Sequence, residues 1–348
     1  QLETYTDFAG RLGYPPYNQP SMTVGSEYYM IPQVTNAPLE HMRPYWQAEH
    51  CRSFLAQRDQ KRPFLIYCSF EEPHPPITNP LPWALLYRAG EVDPPYRPED
   101  YKTYQSRTNR YQNRYKGKET AEADDFGYRV LKGAYYAYIS MVDACIGRIL
   151  DGLGDERENT LILFTSDHGE LLGDYGCVGK RCMLEPALRV PMIASWPGRI
   201  PENRTVDTPV TLMDLFPTVM DAAGLDVPPP GGEGISLRAT ANGESETDRM
   251  VCSQFSSGWC GQYGASDGKW KYAYSAPDRR EWLFELDDSV RDGPNRIDDP
   301  DASDALNRLR GALLERHDPE RDPWSNAVQN GAWKEHDTPP ESWHDDPT

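Results

Sequence analysis

Three side chains with complementary chemistry stand close together in one stretch of the chain. Leu161-Ile162-Leu163-Phe164-Thr165 runs into Ser166-Asp167-His168-Gly169-Glu170, and Lys180 follows on a glycine-bearing loop. A carboxylate beside an imidazole can share one divalent cation, and a lysine offers a fixed positive charge to an anion. A fourth candidate, His74, sits in Glu71-Glu72-Pro73-His74-Pro75-Pro76-Ile77, held between prolines. Bland alternatives stand beside each reading. Asp167 could cap a helix with His168 in a core, and His74 could be an ordinary surface residue.

The elements that would position these groups alternate between helix and strand. Apolar runs at Leu161–Thr165 and Val190–Trp196 read as strands, and ligands in open α/β sheets gather beyond the carboxyl ends of such strands. Arg62–Phe70 reads as a buried strand leading to His74. Trp46, Cys51, Phe54 and Leu55 mark a helix over about 45–60. Val142, Cys145, Ile146, Ile149, Leu150 and Leu153 mark another, with Gly154 as its C-terminal stop. Thr211–Ala223 reads as a short helix. Residues 1–40 show no sustained period and are expected to be irregular.

The region 78–127 is polar and Tyr-rich, ending in Glu119, Glu122, Asp124 and Asp125. It reads as a surface lid or insertion. Tyr96, Tyr101, Tyr104, Tyr111 and Tyr115 could line a sugar or aryl pocket, or cover the lid's own small core; both readings stay open. Beyond the linker Pro228–Gly234 the pattern changes. Met250–Ser256, Trp270–Tyr274 and Trp282–Leu286 read as strands of a small antiparallel sheet, with one helix marked by Leu306, Leu309 and Leu313. The expected division is an α/β domain over 1–235, a C-terminal sheet-plus-helix subdomain over 236–316, and an extended or disordered tail over 317–348.

Composition narrows the function. At 348 residues and a net charge of −18, the chain has no basic stripe for nucleic acid, although a local cationic cluster can still receive an anionic substrate. No apolar run is long enough for a membrane-spanning helix. The seven cysteines have no C-x-x-C spacing, so neither a zinc module nor a thioredoxin motif is expected, and Cys68 and Cys145 fall in apolar patterns as core residues. No signal peptide is recognisable, and the compartment and oligomeric state stay open.

These segments together resemble the sulfatases of the alkaline phosphatase superfamily over roughly the last two thirds of the family pattern. The resemblance rests on PFLIYCSFEEPHPPI, YYAYISMVDACIGRILDGL, LILFTSDHGELLGDYG with GKRCMLEPALRVPMI, TLMDLFPTVMDAAGL and DGKWKYAYS…EWLFELDD, in the family's order. It implies an α/β fold with an alkaline-phosphatase-like central sheet. Asp167 and His168 match the second pair of metal ligands, and many relatives carry Asn at the position of His168. The implied metal is calcium, with manganese the alternative for a His-containing site. Lys180 matches the lysine that grips the sulfate oxygens, and His74 the histidine beside the leaving-group oxygen. Glu185 and Arg189 match supporting positions, read as an ion pair holding the loop. The implied substrate is a small-molecule or saccharide sulfate ester.

The family nucleophile is a formylglycine made from Cys or Ser within C/S-x-P/A-x-R. Cys177-Val178-Gly179-Lys180-Arg181 has the Cys and Arg at that separation, but Gly179 stands where Pro or Ala belongs. The nucleophile, the family's paired aspartates and its Gly-Lys-x-His stretch are therefore expected upstream of Gln1, leaving this sequence a fragment without turnover of its own. Three functions follow: a sulfatase, a phosphonate monoester or phosphodiester hydrolase on the same scaffold, or a non-catalytic anion-binding remnant.

Overall fold

Apolar periodicity, caps and register account for the elements of the computed structural model, which describes residues 3–14, 30–116, 124–243, 248–322 and 324–336. In chain order these are α1 Tyr5–Arg11, β1 Gln33–Thr35, α2 Arg43–Gln57, β2 Thr78–Pro80, α3 Arg107–Lys116, α4 Asp125–Asp151, β3 Ile162–Thr165, α5 Glu185–Leu188 and β4 Met192–Ser195. The remainder are α6 Leu215–Ala222, α7 Leu237–Asn242, β5 Val251–Phe255, β6 Gln262–Ser266, β7 Trp270–Ser275, β8 Arg280–Glu285, α8 Ser303–Arg316, β9 Val328–Gln329 and β10 Ala332–Trp333. The architecture is α/β with a C-terminal antiparallel sheet. The chain divides into two compact units: one of 1–101, 112–157 and 172–178, the other of 102–111, 158–171 and 179–348.

The first unit is built on α4. Asp124 caps its start, its side chain accepting from Gly127 N at 2.8 Å. Tyr128, Leu131, Tyr138 and Met141 recur at helical spacing and bury against Met30, Met42, Ile77, Leu172 and Val178. The helix runs much further toward the N-terminus than the Val142–Leu153 pattern announced, and its C-cap is Gly152 rather than Gly154. The added half escapes an apolar count because it buries a lysine and tyrosines. Lys132 meets Asp174 at 3.0 Å, and Asp174 also accepts from Tyr96 N at 2.8 Å.

Two expectations in this unit fail. Residues 1–40 are not all irregular: Thr4 and Asp7 form a capping box for α1, and Tyr5 and Phe8 pack on Trp46 at 5.7 and 6.4 Å between ring centroids. Seven residues are too few for a period to stand out. The run Arg62–Phe70 is extended, but no strand pairs with it among the described residues, so it is not a buried strand. Phe64, Ile66, Cys68 and Phe70 turn inward while Leu65 and Tyr67 are 72% and 87% exposed. Period-two burial on one side only is what an unpaired extended segment gives, and an apolar run cannot announce its partner.

The second unit holds the sheet β5-β6-β7-β8, antiparallel throughout. Alternate residues Tyr263, Ala265, Tyr272, Tyr274 and Leu283 face α8 and bury against its Leu309 and Leu313. The strand β6, Gln-Tyr-Gly-Ala-Ser, is absent from the apolar reading because its two buried apolar residues, Tyr263 and Ala265, alternate with Gln, Gly and Ser and form no apolar run. The described residues of the tail, 317–322 and 324–336, carry the β9–β10 hairpin. Trp333 stacks on Tyr274 at 4.3 Å and on Tyr263 at 5.3 Å, and its indole N–H donates to the Tyr272 hydroxyl at 2.8 Å. One half-buried indole therefore anchors a segment whose average composition reads as surface-draped; residues 337–348 lie outside the described ones.

Within the region 78–127, the described residues 81–116 carry short 3-10 turns and α3. Tyr96 meets Tyr175 edge-on at 5.5 Å in the first unit. Tyr104 stacks on Phe284 at 5.9 Å in the second and donates its hydroxyl to Gly293 O at 3.0 Å. Those two tyrosines serve local cores. Glu119, Glu122 and the Tyr115 side chain lie outside the described residues.

Candidate active site

β3 and β4 pair antiparallel, with Thr165 opposite Met192 and Ile162 opposite Ser195. The whole segment 166–191 therefore leaves and re-enters at one end of the ladder, which sets Asp167, His168 and Lys180 at a common end. Three contacts zip its two limbs together. Gly169 N donates to Ala187 O at 2.9 Å, Leu171 N donates to Gly179 O at 2.8 Å, and Gly179 N donates to the Glu170 carboxylate.

Gly169 is required by this close approach. A Cβ there would lie 2.0 Å from Pro186 O, a backbone atom with little room to move. Gly169→Ala is expected to lower stability by about 1–3 kcal/mol, the range for an overpacked site, and to displace the Lys180 limb. Thermal unfolding checks it; an unchanged midpoint would contradict the tight limb packing.

Asp167 and His168 stand side by side just beyond the end of β3. The Asp167 side chain is 82% exposed; its Oδ1 accepts from His168 N at 2.9 Å, and its Oδ2 lies 3.4 Å from His168 Nε2. His168 Nδ1 lies 2.8 Å from Gly169 O. A carbonyl only accepts, so Nδ1 carries a proton; in the neutral ring the Nε2 lone pair then faces the Asp167 carboxylate, whereas an imidazolium would donate to it. Two acceptors facing each other are reconciled by a cation, and a backbone carbonyl behind the ring is how metal-binding histidines are commonly held. The donor types fit a divalent cation. Among the described residues no group of three or more His, Cys, Asp or Glu side chains is gathered that could hold one, so Asp167 and His168 alone would make a partial set.

Lys180 is half-buried. Burial lowers its pKa below the usual lysine value, against the pull of Glu170 and Asp167. An ammonium so placed is poorly hydrated and available to an anion.

The sequence reading paired Glu185 with Arg189, and the structure corrects this. Glu185 is buried and meets Lys271 Nζ at 2.8 Å, while its backbone N–H donates to Asp292 Oδ2 at 2.8 Å; Lys271 also reaches Asp292 Oδ1. Arg189 points outward and donates to the carbonyls of Ser289 and Asp287 at 2.8 and 3.3 Å. The register explains the choice. Tyr272 faces α8, so Lys271 must face the opposite side of β7, where the start of α5 lies. Burial works against the Lys271 ammonium, but Asp292 and Glu185 outweigh it and hold its pKa above the ordinary value. Lys271, Asp292 and Glu170 were all missed by the sequence reading. Their only signal is a lysine inside the apolar strand Trp270–Ser275.

His74 lies in the first unit, on a loop whose Glu72-Pro73 and Pro75-Pro76 peptides are cis. Arg43 stands against Glu71 and Glu72 just before it. His74 Nδ1 is 2.7 Å from Pro75 O, so the neutral ring carries its proton there, and Nε2 can donate only from the imidazolium.

Gly179 has φ +84°, a conformation closed to proline, and Cys177 is fully buried with its thiol directed to Tyr175 O. That loop is no nucleophile motif. Two pentapeptides do spell the motif, both passed over by the sequence reading: Ser275-Ala276-Pro277-Asp278-Arg279, whose serine is fully buried and donates to the Asp278 carboxylate at 2.6 Å, and Ser195-Trp196-Pro197-Gly198-Arg199. Ser195 sits at the far end of β4, three residues and about 10 Å from the end that bears Asp167. Arg199 lies over the Trp196 ring at 5.0 Å and closes a turn. Its place in the ladder makes it a strand exit.

The sequence is 28% identical to a choline-sulfatase of Rhizobium meliloti (strain 1021) over 305 residues, 82% of this chain and 58% of that protein. It is also 28% identical to an arylsulfatase of Clostridium perfringens (strain 13 / Type A) over 284 residues, 79% of this chain and 58% of the relative. The chain thus spans under two thirds of the length of these curated relatives. Its fold matches a phosphonate monoester hydrolase from Silicibacter pomeroyi with TM-score 0.74 and 22% identity, over 96% of this chain and 72% of the other. An N-sulphoglucosamine sulphohydrolase C-terminal model matches residues 173–317. The sulfatase family model matches residues 28–225, more than half the chain, and the chain belongs to the sulfatase family.

Proposed function

We propose that this chain forms part of an enzyme that hydrolyses sulfate monoesters, with a sulfated carbohydrate as the favoured substrate. The observation that carries the reading is the convergence of Asp167, His168 and Lys180 at one end of the β3–β4 ladder. The sulfatase names of the relatives and the N-sulphoglucosamine sulphohydrolase model support it.

In this reading Asp167 Oδ2 and His168 Nε2 supply two ligands to a divalent cation, calcium as in the family or manganese because of the imidazole. When bound, that cation would neutralise and orient the sulfuryl oxygens. The Lys180 ammonium grips a sulfuryl oxygen and holds the ester in line. Cleavage builds negative charge on the leaving oxygen, and the His74 imidazolium returns a proton to it from Nε2. The attacking hydroxyl is a formylglycine hydrate supplied from outside this sequence.

Two tests bear on the roles. His74→Ala should slow an alkyl sulfate about 10²–10⁴-fold while sparing an aryl sulfate with a good leaving group. Equal losses on both would remove His74 from the proton-donor role. Because burial lowers the Lys180 pKa, its charge is lost at lower pH than that of a free lysine, near about 10.4. KM should therefore climb as pH rises, and at lower pH than a free lysine would titrate; a KM flat up to the free-lysine range would contradict the anion-gripping role.

A second reading, hydrolysis of phosphonate monoesters or phosphodiesters, is favoured by His168 in place of the commoner Asn. Comparing kcat/KM for a sulfate ester and a phosphodiester separates the two. The third reading, a natural non-catalytic anion-binding module, requires that the chain as given bind sulfate without turnover; any sulfate release by it refutes that.

A further inference from the structure

Helix α2 lies along the extended segment 62–70 in antiparallel order. Near the helix start, Gln47 Nε2 donates to Ser69 O at 2.7 Å, and just past its end the Arg58 guanidinium covers the Phe64 ring at 4.4 Å. From Gln47 to Arg58 a helix rises about 16 Å, and from Ser69 back to Phe64 an extended chain covers about the same. The two elements therefore stay in step between these contacts. Cys51, one turn after Gln47 on the same face, comes level with the residues just before Ser69. Tyr67 faces solvent, so Cys68 is the inward-facing residue there, near enough to the Cys51 thiol for each to shift the other's titration. Both cysteines are half-buried, whereas the neighbouring Cys145 is buried, and all are free thiols.

We propose that Cys51 and Cys68 are a redox-active dithiol that forms a reversible disulfide by exchange with a small-molecule disulfide such as oxidised glutathione. Cys51 accepts the hydrogen bond from Cys68, which lowers its pKa and raises that of Cys68. Cys51 is the attacking thiolate. Its sulfur bonds to one sulfur of the oxidant and expels the other half as thiolate, leaving a mixed disulfide. Cys68 then gives up its proton to the expelled thiolate and attacks the Cys51 sulfur, expelling the second half, which takes from solvent the proton that Cys51 released on ionising. Two protein thiols become one disulfide and the oxidant becomes two small thiols, so atoms and electrons balance. The bond would staple α2 to the segment that leads into His74. This inference is independent of the proposed sulfatase activity.

The test is oxidation of the chain with oxidised glutathione, alkylation under denaturing conditions and peptide mapping. The expected result is two of the seven cysteines protected, a Cys51–Cys68 cross-linked peptide, and a thermal midpoint raised by roughly 5 °C or more that falls back with reductant. Cys68→Ser should instead retain a glutathione adduct on Cys51. Seven alkylated cysteines, a bond from Cys68 to Cys145, or a persistent Cys51 adduct in the unmutated chain would overturn the proposal.

Discussion

Replacing Lys180 by alanine is expected to lower kcat/KM for a sulfate ester by about 10²–10³-fold in the protein expressed from its complete reading frame. The reason is its setting. The ammonium is half-buried beside Asp167 and Glu170, and its loop is pinned by the bonds of Gly169 to Ala187 and Leu171 to Gly179. A charge held in place before the substrate arrives needs no reorganisation when charge shifts in the transition state. If Lys180 acts on ground state and transition state alike, KM rises with kcat unchanged; if the contact tightens as the bond breaks, kcat falls as well. Both outcomes keep Lys180 in the site. A variant within a factor of two of the unmutated protein in both parameters would remove it.

The second large effect is on stability. Lys271→Met keeps the length of the side chain and removes its charge, leaving Glu185 and Asp292 buried together without a counterion. Breaking a buried pair by removing one partner costs about 3–5 kcal/mol, which for a unit of this size corresponds to a thermal midpoint lower by roughly 6–20 °C. Calorimetry checks it. The folded-state pKa of Lys271 is raised, so its contribution is complete at neutral pH and is lost only as pH rises through that raised value. The deficit of Lys271→Met against the unmutated chain should accordingly shrink at strongly alkaline pH. A deficit under 1 kcal/mol at neutral pH would mean that the two carboxyls do without the ammonium, contrary to the 2.8 Å contact with Glu185.

The two predictions mark where the sequence is readable and where it is not. Asp167 and His168 stand out because an apolar run ends abruptly in polar residues, and a strand end is a local event. The helices α2, α6 and α8 and the strands β4, β5, β7 and β8 are legible for the same reason: each carries its own period. Long-range partnerships leave no such mark. Nothing near Glu185 announces that its partner is Lys271, 86 residues away, rather than Arg189 four positions on. The segment 62–70 carries the period of a strand, yet pairing needs a second strand that no local pattern supplies. The helix α4 was half hidden because its first turns bury Lys132 against Asp174, a polar pair that an apolar count reads as surface. The Trp333 anchor was lost in the average polarity of the tail. For the motif, pattern alone misleads in both directions. Gly179, not proline, occupies the loop that bears Lys180, and of the two literal matches Ser195 sits at the wrong end of its strand while Ser275 is buried against Asp278.

The central claim is that Asp167, His168 and Lys180 serve sulfate ester hydrolysis. It is tested most directly by kcat/KM for a sulfate monoester and for a phosphodiester of the same alcohol, measured on the complete protein with calcium or manganese supplied. The account predicts faster turnover of the sulfate ester, with Lys180→Ala abolishing most of it. Turnover of the phosphodiester alone, or sulfate release indifferent to Lys180, would contradict it.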